Sequence, residues 1–192
     1  IEFFSKHYRV ISVDMPGHGQ SSKLADDAKL QDFVDWTIEF ITALDIGAVN
    51  LAGHSMGSLI STGVSVTRPD LVKRMAVLNG VYKRTSQARN AVVQRAEELK
   101  TGHIDIETPL QRWFGDTEIE RIASEHVKSW LESVDLSGYT TAYSAFAWGD
   151  EVYADDWSKI ACPALVLTGT HDPNSTAEMA IQIASQAQKC SA

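Results

Sequence analysis

Four short runs of β-branched and apolar residues, separated by segments with helical spacing, constrain most strongly what this chain can fold into. The runs cover residues 8–14, 48–52, 75–78 and 164–168. Apolar residues recur at helical spacing at residues 30–44, 58–68 and 175–187. Apolar strands that alternate with helices are typical of a parallel sheet buried on both faces. We therefore predict an α/β fold with a doubly wound, mostly parallel sheet.

The pattern changes between the third run and the fourth. Residues 82–150 contain no convincing strand. Helical patterns lie there at 88–100, 117–133 and 139–148. Thr117 followed by Glu120 has the spacing of a capping box, which marks a helix start. We predict that residues 82–150 form a helical cap insertion and that residues 1–81 and 151–192 form the α/β core.

Composition bounds the class of protein. The chain has 192 residues, 44% of them apolar, which is enough for one sizeable core. Its net charge of −8 argues against a nucleic-acid partner and against an anionic membrane surface. No apolar stretch approaches the length of a spanning helix, and Cys162 and Cys190 match no zinc spacing. We expect a cytoplasmic protein without nucleic acid, membrane or metal partners.

A short motif follows the second run directly. Residues 53–57 read Gly-His-Ser-Met-Gly and fit the pattern G-x-S-x-G between a strand and a helix. On so sharp a turn the backbone is strained, and the two glycines permit close approach of the neighbouring chain. The turn would present the Ser55 hydroxyl at the carboxyl end of the sheet, with the N–H of Met56 placed to stabilise an oxyanion. The alternative is a serine in a purely structural turn.

A serine nucleophile needs a histidine base that a carboxylate orients. Asp172 follows the fourth run, at the sheet edge where parallel folds gather their site residues. In folds where G-x-S-x-G forms such a turn, the acid likewise follows the serine along the chain. We predict Ser55 and Asp172 as catalytic residues; the alternative for Asp172 is an Asp-Pro turn that caps the next helix.

Three blocks of the chain support a family resemblance. They are residues 13–21, 53–57 and 160–172. Together they resemble the α/β-hydrolase superfamily, in its capped form with a serine nucleophile. Three dipeptides in the helical segment, Trp113-Phe114, Gly138-Tyr139 and Ala145-Phe146, are similar to the cap of 3-oxoadipate enol-lactonase-like and esterase-like members. The resemblance implies hydrolysis of a small-molecule ester or lactone through an acyl-enzyme, with no metal or organic cofactor.

The sequence departs from this pattern at both ends. The resemblance implies a base histidine on a loop beyond the acid, but no histidine follows Asp172. It also implies a strand between residues 8–14 and 48–52, with a loop that supplies the second oxyanion donor. Without that strand, a gap of about 10 Å would separate its neighbours. We expect an internal fragment, truncated at both ends, that is inactive and poorly stable alone.

The histidines present are weighed as substitutes for the missing base. They are His7, His18, His54, His103, His126 and His171. His171 neighbours Asp172 and cannot easily fold back between it and Ser55. We expect His54 to pack beneath the turn and His18 to support its loop, and the others to be surface or packing residues.

Several functions use the same nucleophile. Carbon–carbon bond hydrolysis, acyl transfer and cofactor-free perhydrolysis remain alternatives to ester or lactone cleavage, whereas Ser55 excludes an aspartate nucleophile. The missing histidine also motivates a different class, a non-catalytic ligand-binding protein that keeps the fold. We expect Trp113, Phe146 and Trp148 to contact an apolar substrate.

Overall fold

A computed structural model describes residues 1–192, in which a parallel sheet is packed against helices. In chain order the elements are α1 (Glu2–Ser5), α2 (Leu30–Ala43), β1 (Val49–His54), α3 (Met56–Thr67), β2 (Val72–Leu78), α4 (Ser86–Lys100), α5 (Glu107–Trp113), α6 (Glu118–Ser133), α7 (Leu136–Ala147), β3 (Ala164–Leu167), α8 (Ala177–Gln186) and β4 (Cys190–Ser191). The strands are all parallel and lie in the order β1-β2-β3-β4. The predicted α/β fold with a parallel sheet is confirmed. None of the helices combines the length and the apolar character needed to cross a bilayer.

Helices cover one face of the sheet. Val77 and Val166 on that face are each 1% exposed. Val77 lies beside Gly80, where an added Cβ would also approach Ser58 of α3 and Ile183 of α8. The alternate residues of β3, Leu165 and Leu167, are 42% and 48% exposed. The expectation that the strands are buried on both faces is therefore wrong for this chain, because its own helices pack on one side only.

The strand predicted at residues 8–14 does not form. Those residues have no regular secondary structure, and β1 is an edge strand of the sheet. A strand needs a neighbour to satisfy its N–H and C=O groups, and no strand of this chain lies beside residues 8–14. A β-branched sequence alone was therefore insufficient to predict a strand here.

The predicted amphipathic helix near the start of the chain is present as α2. Its apolar stripe faces α3: Phe33 is 1% exposed, and Val34 and Val64 are fully buried. The contact is close because Gly63 has no side chain; a Cβ there would lie 2.5 Å from Val34 Cγ2. Each such burial stabilises the fold by about 1.5–3 kcal/mol.

Four helices, α4 to α7, lie between β2 and β3. The capping box predicted from Thr117 and Glu120 is present at the start of α6. Helix α5 was not predicted, because its 7 residues are too few to show a periodicity. Helix α7 begins earlier than predicted, since the Asp135 side chain accepts a hydrogen bond from the N–H of Gly138 at 2.6 Å and caps it.

A buried ion cluster joins the two ends of this helical segment. Asp150, whose side chain is fully buried, accepts hydrogen bonds from the Arg84 backbone N–H at 2.7 Å and from Arg84 Nη1 at 2.9 Å. Arg89 Nη2 donates to the same carboxylate at 2.9 Å. Burial lowers the pKa of Arg84, and Asp150 opposes that shift. The carboxylate therefore compensates a buried positive charge that would otherwise be costly.

We predict that Asp150→Asn lowers the free energy of unfolding by about 3–5 kcal/mol, because it leaves the Arg84 guanidinium buried without a countercharge. Asp155→Asn is the matched control: the Asp155 side chain is 86% exposed and pairs with Lys83. That control should change stability by less than about 1 kcal/mol. Urea denaturation measures both, and equal losses would contradict the prediction.

Candidate active site

Ser55 lies on a sharp turn between β1 and α3. Its backbone has φ 53° and ψ −116°, a region that residues other than glycine rarely adopt. The Ser55 N–H donates to the carbonyl of Leu78 at 2.9 Å, so the turn is held against the end of β2. A conformation of this kind costs about 1–3 kcal/mol and persists only where the surroundings fix it. The predicted strained turn is therefore present.

The two glycines of the motif differ in what they do. A Cβ at Gly53 would lie 1.9 Å from the carbonyl oxygen of Gly57 and 2.5 Å from Ser61 Oγ. A Cβ at Gly57 would meet no atom within 4 Å. The expectation of close approach is thus confirmed at Gly53, whereas a side chain at Gly57 would enter open space.

Helix α3 begins immediately after Ser55. Met56 is its first residue, so the Met56 N–H has no acceptor inside the helix. The carbonyl of Ser55 is occupied: Ser58 donates to it through its N–H at 2.9 Å and its Oγ at 2.5 Å. The start of the helix is therefore fixed, with the Met56 N–H beside the serine.

Asp172 lies in the loop that follows β3. Its Oδ1 accepts the backbone N–H groups of Asn174 at 2.8 Å and Ser175 at 2.9 Å. Its Oδ2 accepts Nδ2 of Asn79 at 2.6 Å. Asp172 thus does stabilise its own turn, as the alternative interpretation expected. A carboxylate has capacity for further donors, so these three bonds do not exhaust it.

The pKa of Asp172 lies below its ordinary value. Burial acts to raise this pKa, but the hydrogen bonds from Ser175, Asn174 and Asn79 outweigh it, and nearby His54 adds to the lowering. Hydrogen bonds to the charged form favour ionisation. Asp172 is therefore a carboxylate at neutral pH, the form that can orient and stabilise an imidazolium.

The sheet register places Ser55 and Asp172 at the same edge. His54 is paired with Leu78, and Leu78 with Leu167, so β1, β2 and β3 end side by side. Ser55 directly follows the first of these ends, and Asp172 lies in the loop after the third. Strand β2 lies between β1 and β3, so the strands that lead to Ser55 and Asp172 are about 10 Å apart.

Asn79, at the end of the intervening strand, is a site residue that the sequence analysis missed. It follows β2 directly, has φ 49°, and donates to Asp172. A signal was available: asparagine tolerates a left-handed backbone, and Asn79-Gly80 ends an apolar run at the same sheet edge. The contact between Asn79 and Asp172 could not be predicted from a local pattern, because the two residues are 93 positions apart in the chain.

The histidines do not supply a bridging ring. None of the six makes a hydrogen bond to Ser55 or Asp172; His18 contacts the carbonyl of Pro16 through Nδ1 at 3.3 Å and the ring of Tyr139, as expected of a residue that supports its loop. His54 is exposed at the end of β1, so the expectation that it packs beneath the turn is wrong. In a strand, alternate side chains point to opposite faces, and His54 points to the uncovered one.

The aromatic residues predicted to contact substrate lie in different environments. Phe146 is half-buried in α7, with the Arg84 guanidinium 4.3 Å from its ring centroid and Tyr143 beside it. Trp113 and Trp148 are 52% and 60% exposed, and neither forms a ring pair with Phe146. Their contact with substrate stays a prediction.

Comparison with known proteins identifies the family of this chain. The alpha/beta hydrolase family matches residues 1–190. The chain belongs to this family. An (E)-2-((N-methylformamido)methylene)succinate hydrolase of Acinetobacter baylyi is 78% identical over 188 residues, which cover 98% of this alpha/beta hydrolase and 72% of that relative.

More distant members of the family are also similar. The 3-oxoadipate enol-lactonase 1 of Acinetobacter baylyi is 27% identical over 175 residues, which cover 88% of this chain and 63% of that enzyme. The crystal structure of the enol-lactonase from Burkholderia xenovorans LB400 superimposes with a TM-score of 0.85 at 25% identity, covering 98% of this chain and 73% of that one. The predicted resemblance to alpha/beta hydrolases, including enol-lactonases, is confirmed, and the chain is shorter than each of these relatives.

The two glycines of the turn provide a test of its geometry. We predict that Gly53→Ala lowers the free energy of unfolding by about 3 kcal/mol, because its Cβ overlaps backbone that cannot move away. Gly57→Ala is the matched control and should be neutral or stabilise by up to about 1 kcal/mol, since alanine favours the helix. Denaturant titration measures the free energy of unfolding of both variants. An unchanged value in Gly53→Ala would show that the turn has room for a Cβ at this position.

Proposed function

We propose that the protein is a serine hydrolase that forms an acyl-enzyme on Ser55, with Asp172 as the acid of the triad and the Met56 N–H as an oxyanion donor. One observation carries the proposal. Ser55 has a strained left-handed backbone at the start of a helix, at the sheet edge that also bears the ionised Asp172. A serine that served only as a turn residue would gain nothing from this strain, because glycine adopts it without cost.

The reaction proceeds in two halves. In the first, Ser55 Oγ bonds to the acyl carbon while its proton passes to an imidazole that Asp172 orients. The carbonyl oxygen becomes an oxyanion that the Met56 N–H stabilises, and the bond to the leaving group then breaks as that group takes the proton. In the second half, water attacks the acyl-enzyme with the same imidazole as base, which releases the acid and restores Ser55.

The proposed mechanism also requires a histidine imidazole to accept the proton of Ser55. No histidine among residues 1–192 hydrogen-bonds to Asp172, and the Acinetobacter baylyi relative is longer than this chain, which spans 72% of it. We therefore propose that the base belongs to the whole protein outside these residues. Experiments on catalysis accordingly use the protein as its gene encodes it.

The substrate proposed is a small unsaturated dicarboxylate that carries an N-acyl group. The relative at 78% identity is named for a methylenesuccinate with an N-methylformamido substituent. On such a molecule, attack of Ser55 at the formyl carbon forms the acyl-enzyme and breaks the C–N bond, with the proton going to nitrogen. The more distant enol-lactonases favour a second candidate, a lactone of a dicarboxylic acid, cleaved by the same steps.

We propose that the helical segment formed by α4 to α7 is the cap that selects the substrate. Phe146, on α7, is half-buried, while Trp113 and Trp148 are more than half exposed. Large aromatic rings supply apolar contact area at low conformational cost, which suits a substrate pocket. These residues stay candidates for substrate contact.

The nucleophile and the acid are tested by substitution in the whole protein. We predict that Ser55→Ala abolishes labelling by a fluorophosphonate probe and that Asp172→Asn reduces kcat by about 10³–10⁴-fold, because the base loses its orientation. Ser185→Ala, an exposed serine on α8, is the control and should label normally. Labelling that persists in Ser55→Ala would refute the proposal, and a wild-type protein that never labels would favour the ligand-binding alternative.

The substrate class is tested by a matched pair of compounds. We predict that (E)-2-((N-methylformamido)methylene)succinate is hydrolysed with a kcat/KM at least about 100-fold above that of an enol-lactone of a dicarboxylic acid, a difference of about 2.7 kcal/mol in transition-state stabilisation. Formate release measured over time gives the first rate. The reverse order would assign the enzyme to the lactone class.

A further inference from the structure

Asn79 links the strand that precedes Ser55 to the strand that precedes Asp172. The Ser55 N–H donates to the carbonyl of Leu78, and the Asn79 N–H donates to the carbonyl of Leu167 at 2.8 Å. Backbone pairing therefore continues one residue past each strand end. Asn79 then leaves the sheet through a left-handed conformation, φ 49°, which asparagine tolerates better than most residues.

The loop that bears Asp172 is attached to Asn79 by two strong contacts. Asn79 Nδ2 donates to Asp172 Oδ2 at 2.6 Å, and Ser175 Oγ donates to the Asn79 carbonyl at 2.8 Å. Thr168 Oγ1 donates to the Ser175 carbonyl at 2.5 Å, which closes the loop on itself. The position of Asp172 is therefore fixed by β2 as well as by its own strand.

The carboxylate of Asp172 is held through both of its oxygens. Backbone N–H groups of its own loop occupy Oδ1, and these alone would leave the carboxylate plane free to turn about that anchored oxygen. The amide of Asn79 fixes Oδ2 and so fixes the plane. Each oxygen has two acceptor sites, so Oδ2 retains one for a ring N–H.

We propose that Asn79 is a positioning residue of the hydrolase, which orients the Asp172 carboxylate toward the triad histidine. The inference deepens the proposed function and rests on it. A neutral amide suits this role, because it donates a hydrogen bond to the carboxylate without a charge that would compete with the imidazolium. Aspartate at this position would place a like charge beside Asp172, and glycine would keep the backbone conformation but lose the donor.

The test uses variants that separate backbone from side chain. Asn79→Gly keeps the left-handed conformation free of strain and removes only the amide. In the whole protein we expect its rate of fluorophosphonate labelling to fall about tenfold, the equivalent of one charge-assisted hydrogen bond. The Asp172 carboxyl, followed by carbon NMR, should titrate with a raised pKa. If the role of Asn79 were purely structural, the labelling rate would stay unchanged even where stability falls or that titration moves.

Asn79→Asp provides a second, independent readout. Two carboxylates in contact titrate as a pair with one raised pKa, and their extra negative charge holds a proton on the imidazole. We expect the acid side of the labelling-rate profile to move to higher pH. Asn50→Asp, on the exposed face of β1, adds the same charge away from the loop and should leave the profile in place.

Two outcomes overturn the proposal: an unchanged Asp172 titration in Asn79→Gly, or a shifted titration with an unchanged labelling rate in that variant. Failure of the proposed function is distinguishable from either. In that case Ser55→Ala and Asp172→Asn would not affect labelling, whatever Asn79 does to the Asp172 carboxyl.

Discussion

The candidate site depends on the parallel register of β1, β2 and β3. Because the three strands end level with one another, the residues that follow them emerge at one edge of the sheet. Two backbone hydrogen bonds, from Ser55 to Leu78 and from Asn79 to Leu167, extend the pairing beyond the strands. A slip of one residue would turn each following side chain to the other face. The strand pairing thus brings the site residues to one end of the sheet, and the hydrogen bonds of the loop after β3 then fix Asp172 there.

The helical segment depends on a second buried interaction. Arg84 precedes the first of its helices and Asp150 follows the last, and their hydrogen bonds hold the two ends of the segment together. Arg89, on α4, adds its charge to the same carboxylate. A long excursion from a sheet is costly to order unless its ends are held together. The ion cluster therefore lets four helices form between β2 and β3 without separating those strands.

Sequence patterns predicted the elements whose formation depends on neighbouring residues in the chain. They failed where an element or contact requires a partner that is distant in sequence. The apolar spacing of α2 and the capping box of α6 are local, and both were predicted. Residues 8–14 have a strand sequence, but a strand exists only beside another strand. The site shows the same division: G-x-S-x-G is contiguous and predicted Ser55, whereas the contact of Asn79 with Asp172 arises only when β2 and β3 pair. The exposure of one sheet face could not be predicted either, because the apolar run at β3 gives no sign of which face the helices cover.

Two neighbouring strands end in residues with a left-handed backbone, Ser55 and Asn79. Glycine would adopt these conformations at no steric cost, so the presence of side chains that can react or donate a hydrogen bond argues for what those side chains do. The free-energy cost of this conformation is lower for asparagine than for serine. The turn at Ser55 is held by the close packing at Gly53 and by two hydrogen bonds from Ser58. Strain is therefore greater at the proposed nucleophile than at Asn79, and the contacts of Gly53 and Ser58 hold the turn at that point. That coincidence is what a preorganised nucleophile requires, since a serine free to relax would lose its alignment with the oxyanion donor beside it.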